Sequence, residues 1–188
     1  MEERIQFLDI DFSIRMMENS DYARMSDFSC GIEVLDNFFR CEVENCIRKK
    51  YLAAYCAELP DGKIVAAFTL MNDAIMISSN SERDDFISDL FFEADADIVE
   101  FLKRQSSFPA INIGHLGTLT DYQNHGIGTS IIDFLAETYA CYRQSGCQFL
   151  TVDALNNLRT IDFYKDNGFS FQTNKDFYSP TRRMYRIL

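Results

Sequence analysis

The chain has 188 residues, 47% of them apolar and including seventeen Phe and nine Tyr, enough to bury one core without metals or disulfides. A single domain spanning 1–188 is therefore expected. The net charge of −11 argues against a protein that holds nucleic acid through a broad phosphate-neutralising surface, because that binding comes mainly from Lys and Arg.

In chain order, an extended start is expected near residues 5–14. From Gly31, the stretch GIEVLDNFFRCEVENCIRKK repeats apolar residues at Val34, Leu35, Phe38, Phe39, Val43, Cys46 and Ile47. That is the period of an amphipathic helix, and it closes on Arg48, Lys49 and Lys50, which complement a helix C-terminus. Next, YLAAYCAEL and KIVAAFTLM flank Pro60-Asp61-Gly62, two strand-like runs around a turn, which predicts a hairpin. Over 81–104 the pattern is helical again, with Phe86, Ile87, Leu90, Phe91, Ile98, Val99 and Leu102 as candidate core and the Asp and Glu residues as a solvated face. The second half alternates: a strand over 110–119, a helix over 126–144, a strand over 148–154, a helix over 158–166, then FSFQ and RRMYRIL as closing strands. There is no internal repeat, low-complexity tract or linker.

No run approaches the roughly 20 apolar residues of a membrane span, and MEERIQFLDIDF has acids where a signal peptide needs basic residues before an apolar core. The expectation is a cytoplasmic protein with no membrane partner. The six cysteines show no C-x-x-C pair and no Cys/His zinc spacing, so they are expected as reduced core thiols, with no metal.

Residues 119–135 read LTDYQNHGIGTSIIDFL. A turn that delivers Gly126, Ile127 and Gly128 into the first turn of an apolar helix leaves backbone N–H groups unpaired at the positive end of the helix dipole, a nest for phosphate oxygens. A P-loop would need Lys after its last Gly, but Thr129-Ser130 follows Gly128. A dinucleotide fingerprint would need Gly or Ala where Ile131 stands. Both fail.

Q-x-x-G-x-G after a strand instead resembles motif A of the GNAT family of N-acetyltransferases, here within HLGTLTDYQNHGIG. Downstream, NLRTIDFYKDNGF resembles the second signature, N-x-x-A-x-x-x-Y-x-x-x-G-F, through Asn157, Tyr164, Gly168 and Phe169, with Thr160 in place of the usual Ala. The resemblance implies an α/β fold with a mixed, strongly twisted central sheet, flanked by helices and splayed between two strands, here 110–119 and 148–154. Acetyl-CoA would lie in the gap. By resemblance, the backbone of Leu116, Gly117 and Thr118 would bond the pantetheine arm, Gly117 lying next to a bulge. Gln123, Asn124, His125, Gly126, Ile127, Gly128 and Thr129 would hold the pyrophosphate, His125 standing where the family often has Arg.

Acetyl transfer to an amine needs a proton for the departing thiolate, and Tyr164 matches the family's general acid; a phenol of pKa about 10 suits that task. The competing reading is a core aromatic after Phe163. Asn157 would orient CoA, or cap its helix, or both. His115 is the candidate base, with a structural strand histidine as its alternative. These features predict direct transfer from acetyl-CoA to a primary amine of a small molecule or protein. One alternative is a toxin: FSCGIEVLDNFF, LMNDA, VDALNN and TRRMYRIL resemble GNAT toxins of toxin-antitoxin modules, which acetylate the aminoacyl amine of charged tRNA. The other is a CoA-binding module without catalysis. The charge favours an amine substrate and disfavours nucleic acid, although two basic clusters, Arg48-Lys49-Lys50 and Arg182-Arg183 with Arg186, leave tRNA open. A homodimer is allowed.

Overall fold

A computed structural model describes residues 3–7, 10–77, 83, 86–87 and 96–188. Among these, eight strands form one mixed sheet in the order β1-β2-β3-β4-β5-β6-β8-β7. β1 (Glu3–Phe7), β2 (Ile10–Met16), β3 (Ala53–Glu58), β4 (Ile64–Met76) and β5 (Ser107–Thr118) form an antiparallel meander. β5 then runs parallel to β6 (Phe149–Leu155), which pairs antiparallel with β8 (Thr181–Ile187), and β7 (Ser170–Phe171) closes the edge. The expected extended start is thus an antiparallel pair, and the Pro60-Asp61-Gly62 hairpin joins β3 to β4.

The parallel step needs a crossover, which the helix α5 (Ile127–Ala140) supplies. Its buried residues Ile127, Ile131, Ile132 and Leu135 share one face, and each contributes about 1.5–3 kcal/mol by leaving water. Together with Ile161 and Tyr164 of α6 (Leu158–Asp166) they pack on Phe68, Leu70, Ile113, Leu150 and Val152 of the sheet. α5 stops four residues before the expected end, because residues 141–146 are all exposed and no burial favours another turn.

The opposite face is covered by α1 (Asn19–Arg24) and by a helical run of α2 (Glu33–Asn37), a π turn (Phe38–Glu42) and α3 (Val43–Arg48). The expected single helix is therefore interrupted. The wider turn lets Phe38 and Phe39 both face inward, their rings 5.3 Å apart, against Phe28, Cys56 and Ala67. A third cluster joins α4 (Ala96–Lys103) through Leu102 to Ile75, Phe108, Phe149 and Tyr185, with Phe86 and Ile87 from the expected helical stretch. Leu90 and Phe91, and the side chain of Ile98, lie outside the described residues.

All six cysteines are free, but Cys41 and Cys141 are exposed and only Cys30 and Cys56 are buried, so the thiols are not uniformly core residues. The two basic clusters stand on different elements: Lys49 and Lys50 follow the end of α3 at Arg48, whereas Arg182, Arg183 and Arg186 stand on β8, from which Arg183 reaches Asp73 of β4. Among the described residues no helix is long and apolar enough to cross a membrane, and no group of three or more His, Cys, Asp or Glu is arranged to hold a metal ion.

Candidate active site

β5 and β6 stay paired for three positions, Ala110 with Phe149, Ile111 with Leu150 and Asn112 with Thr151. Beyond them β5 follows β4 and β6 follows β8, and a cleft of about 770 Å³ opens between the two strands. The turn-off point is a bulge: Thr69 faces His115 while the next residue, Leu70, faces Ile113, which leaves Gly114 unopposed. A Cβ on Gly114 would lie 2.8 Å from Met71 Cε, so a side chain there would displace β4 packing. The bulge thus sits three residues before Gly117. Gly117 itself makes room for Phe28 and Cys30, whose atoms a Cβ would meet at 3.3 Å.

Past the bulge, Leu116, Gly117 and Thr118 pair with Phe68, Ala67 and Ala66 on one side and line the cleft on the other. The loop after them curls into a nest. Asn124 (φ 63°) and Gly126 (φ 77°) both adopt the left-handed conformation, one tolerated by Asn and natural to Gly. Ser130 N–H closes onto Gly126 O at 2.9 Å, and the amides of Ile127, Gly128 and Thr129 precede the first intrahelical partner. Gly128 is also a close-packing position, since a Cβ there would stand 3.0 Å from Phe163 Cζ. These features fit a pyrophosphate drawn against backbone amides at a helix N-terminus.

Gln123 performs a different task from its neighbours. Its Nε2 donates to Cys30 O (2.7 Å) and Thr118 O (3.0 Å), and its Oε1 accepts from Arg159 Nη2 (2.7 Å). The side chain staples the nest to the end of β5, the loop before α2 and the first turn of α6. His125 is exposed and lies outside the cleft lining, whereas the other expected residues all line it.

On the far wall, Asn157 caps α6 by accepting from Thr160 N–H at 3.0 Å, which holds the helix that carries Tyr164. Tyr164 is 6% exposed and wedged between the rings of Phe163 (5.1 Å) and Phe169 (5.2 Å). Its ring belongs to the core, as the competing reading expects, and the residue also lines the cleft. Its hydroxyl has no hydrogen-bond partner among the described residues, and burial pushes its pKa above the usual phenol value.

His115 faces the other side of the sheet. Its ring stacks on Phe38 with centroids 3.5 Å apart, and its Nδ1 lies 3.0 Å from Thr69 Oγ1. Burial lowers its pKa to about 4, so the imidazole is neutral at pH 7 and a weak proton acceptor.

Two further cleft residues were not singled out in the sequence. Arg159 stands beside Gln123, and Asp153 on β6 pairs with Arg183 at 3.0 Å. The strict alternation Val152-Asp153-Ala154, buried-exposed-buried, is the signal that could have located Asp153.

A splayed mixed sheet with an amide nest at one end of the gap is the geometry that the sequence motifs anticipate. Residues 88–171 match the model of the acetyltransferase (GNAT) domain. Over that stretch the chain is similar to the GNAT acetyltransferases. Among solved structures it is similar to AtaT complexed with acetyl-methionyl-tRNAfMet, at 19% identity over 94% of this chain and 95% of that chain, with a TM-score of 0.72. It is also similar to a tyrosine-to-phenylalanine mutant of the AtaT toxin bound to the C-terminus of the antitoxin AtaR and acetyl-CoA (19% identity, 94% and 92% covered, TM-score 0.65). A tyrosine-to-phenylalanine mutant of KacT gives 16% identity, 94% of both chains and a TM-score of 0.71. No curated protein matches the sequence.

Proposed function

We propose that this protein, as one domain over 1–188, transfers the acetyl group of acetyl-CoA to the aminoacyl amine of a charged tRNA in the cytoplasm, as a toxin held by an antitoxin. The observation that carries this reading is the likeness, along nearly the whole chain, to a structure of AtaT complexed with acetyl-methionyl-tRNAfMet, joined by a toxin structure bound to its antitoxin. A small-molecule or protein amine, which the net charge favours, is the second reading.

In this scheme the nest of residues 124–129 holds the pyrophosphate, and the cleft edge of Leu116 to Thr118, where Thr118 O already accepts from Gln123, bonds the pantetheine arm as an added strand would. The amine nitrogen attacks the thioester carbonyl; a C–N bond forms, the C–S bond breaks, and the amine proton passes to water. Tyr164 donates its hydroxyl proton to the departing thiolate and is reprotonated from solvent. Its unpartnered hydroxyl and raised pKa support that role, because the group stays protonated until the charge on sulfur appears. His115, neutral and stacked, serves as a wall of the acceptor side more readily than as the base.

The test is label transfer from acetyl-CoA, with bulk charged tRNA in one reaction and a polyamine and lysine-peptide panel in the other. Label in tRNA is the expected result. Label confined to the polyamine or peptide overturns the tRNA reading in favour of the second.

A further inference from the structure

The fork between β5 and β6 carries a chain of polar side chains that the scheme above leaves unused. Asn112 and Thr151, the last pair before the strands part, are both buried, and Asn112 Nδ2 donates to Thr151 Oγ1 at 3.3 Å. The Thr151 hydroxyl donates to Asp73 Oδ2, and the same oxygen accepts from Arg183 Nη2. Arg183 Nη1 reaches Asp153 Oδ2 at 3.0 Å. One guanidinium therefore serves two carboxylates, and the fork keeps one negative charge in excess.

Asp153 is the exposed end of this chain. Its side chain is 57% accessible, it lines the cleft, and its Oδ1 has no partner among the described residues. The same cleft is lined by Tyr164, nine-tenths buried with an unpartnered hydroxyl, so an acidic oxygen and a proton donor both border the space where the strands diverge.

We propose that Asp153 Oδ1 anchors the acceptor amine in its ammonium form, which gives up one proton to water before the nitrogen attacks, with Arg183, itself fixed by Asp73 and Thr151, setting the carboxylate's orientation. The reason is chemical. Aliphatic amines and α-amines have pKa values of about 10.4 and 7.7–8.0, so much of any such acceptor arrives as a cation. A carboxylate with one oxygen fixed and one free positions that cation by a charge-assisted hydrogen bond. The proposal rests on acetyl transfer to an amine and applies whichever molecule carries that amine.

Asp153→Asn keeps the shape and an acceptor oxygen while removing the charge. With the wild type's own acceptor, chosen from charged tRNA, a polyamine and a lysine peptide, the variant is expected to raise KM for the amine about tenfold or more. Acetyl-CoA affinity, read by calorimetry, stays unchanged. With an acyl hydrazide, uncharged at neutral pH, wild type and variant are expected to agree within about twofold. Asp153→Glu restores part of the loss, and Asp153→Ser replaces the Asn variant in the same comparison if that variant does not fold. An amine KM within twofold of wild type, or an equal loss with the hydrazide, overturns the anchor. A wild type active only on the polyamine or peptide sinks the tRNA reading and leaves the anchor to be judged by the same ratio; a wild type active on no amine sinks both.

Discussion

Tyr164 and His115 show how burial assigns opposite uses to two titratable rings. Tyr164 is held protonated by its dry surroundings, so removal of its hydroxyl should cost the proton transfer and little else. Tyr164→Phe is expected to lower turnover by about 10²-fold with acetyl-CoA affinity almost unchanged, read from steady-state kinetics and calorimetry. A threefold loss or less at every pH would remove Tyr164 from the acid role. For His115 the folded pKa of about 4 lies below the ordinary value of 6.5, so between these values the unfolded chain binds more protons than the folded one. Stability is fully present above about pH 6.5 and falls as the pH drops toward 4. Asp21, held near 2 chiefly by its hydrogen bond with Arg15, gives up its own share lower, from about pH 4 downward. His115→Gln should therefore flatten the dependence of urea unfolding on pH between 6.5 and 4.5, and an unchanged slope there would contradict the stacked, neutral imidazole.

At the scale of elements, the nest is a backbone device, and its test must separate charge from strain. Gly126 sits at φ 77°, which Asn and Asp tolerate better than other L-residues. Gly126→Asn is expected to retain most acetyl-CoA affinity, whereas Gly126→Asp, of the same size, should lose at least tenfold by placing a carboxylate where phosphate oxygens would sit. Equal affinities in the two variants would locate the anion elsewhere. The nest was legible in the sequence because Gly spacing before an apolar helix has few other uses, and α6 was legible because Asn157 caps it and Ile161 and Tyr164 share a face. The interruption of the helix at Phe38–Glu42 was not, since a π turn shifts the period by one residue and leaves composition untouched. Nor was the role of Gln123: a sequence places it beside the phosphate site, but only the fold brings Cys30 O and Arg159 to its two ends. The Asp73–Arg183–Asp153 chain joins three strands far apart in sequence, so no local pattern announces it.

For the whole molecule, charge decides how an RNA could be held. Arg182 is paired with Asp176, Arg183 with Asp73 and Asp153, and Arg186 with Asp133, so the basic cluster of β8 is largely consumed by the protein's own carboxylates. With a net charge of −11, few phosphates are neutralised on binding. If two or three phosphates contact cations, the slope of log K against log salt should be about −2 to −3, well short of the steep dependence of a basic RNA-binding surface. Filter binding of charged tRNA from 50 to 300 mM salt, on the order of the usual working range, reads this directly, and a slope steeper than about −5 would mean a larger cationic footprint. The fork also has a mechanical meaning. Three residue pairs join a five-strand sheet to a three-strand one, and the remaining edges lie open like a notch cut in from one side. Under a load that draws the two parts aside, stress concentrates at the root of the notch, at Asn112 and Thr151, and tearing begins there. A molecule bonded to both lips bridges the crack, so acetyl-CoA should raise the rupture force of the fork and slow amide exchange in β6 and β8 more than in β2 and β3.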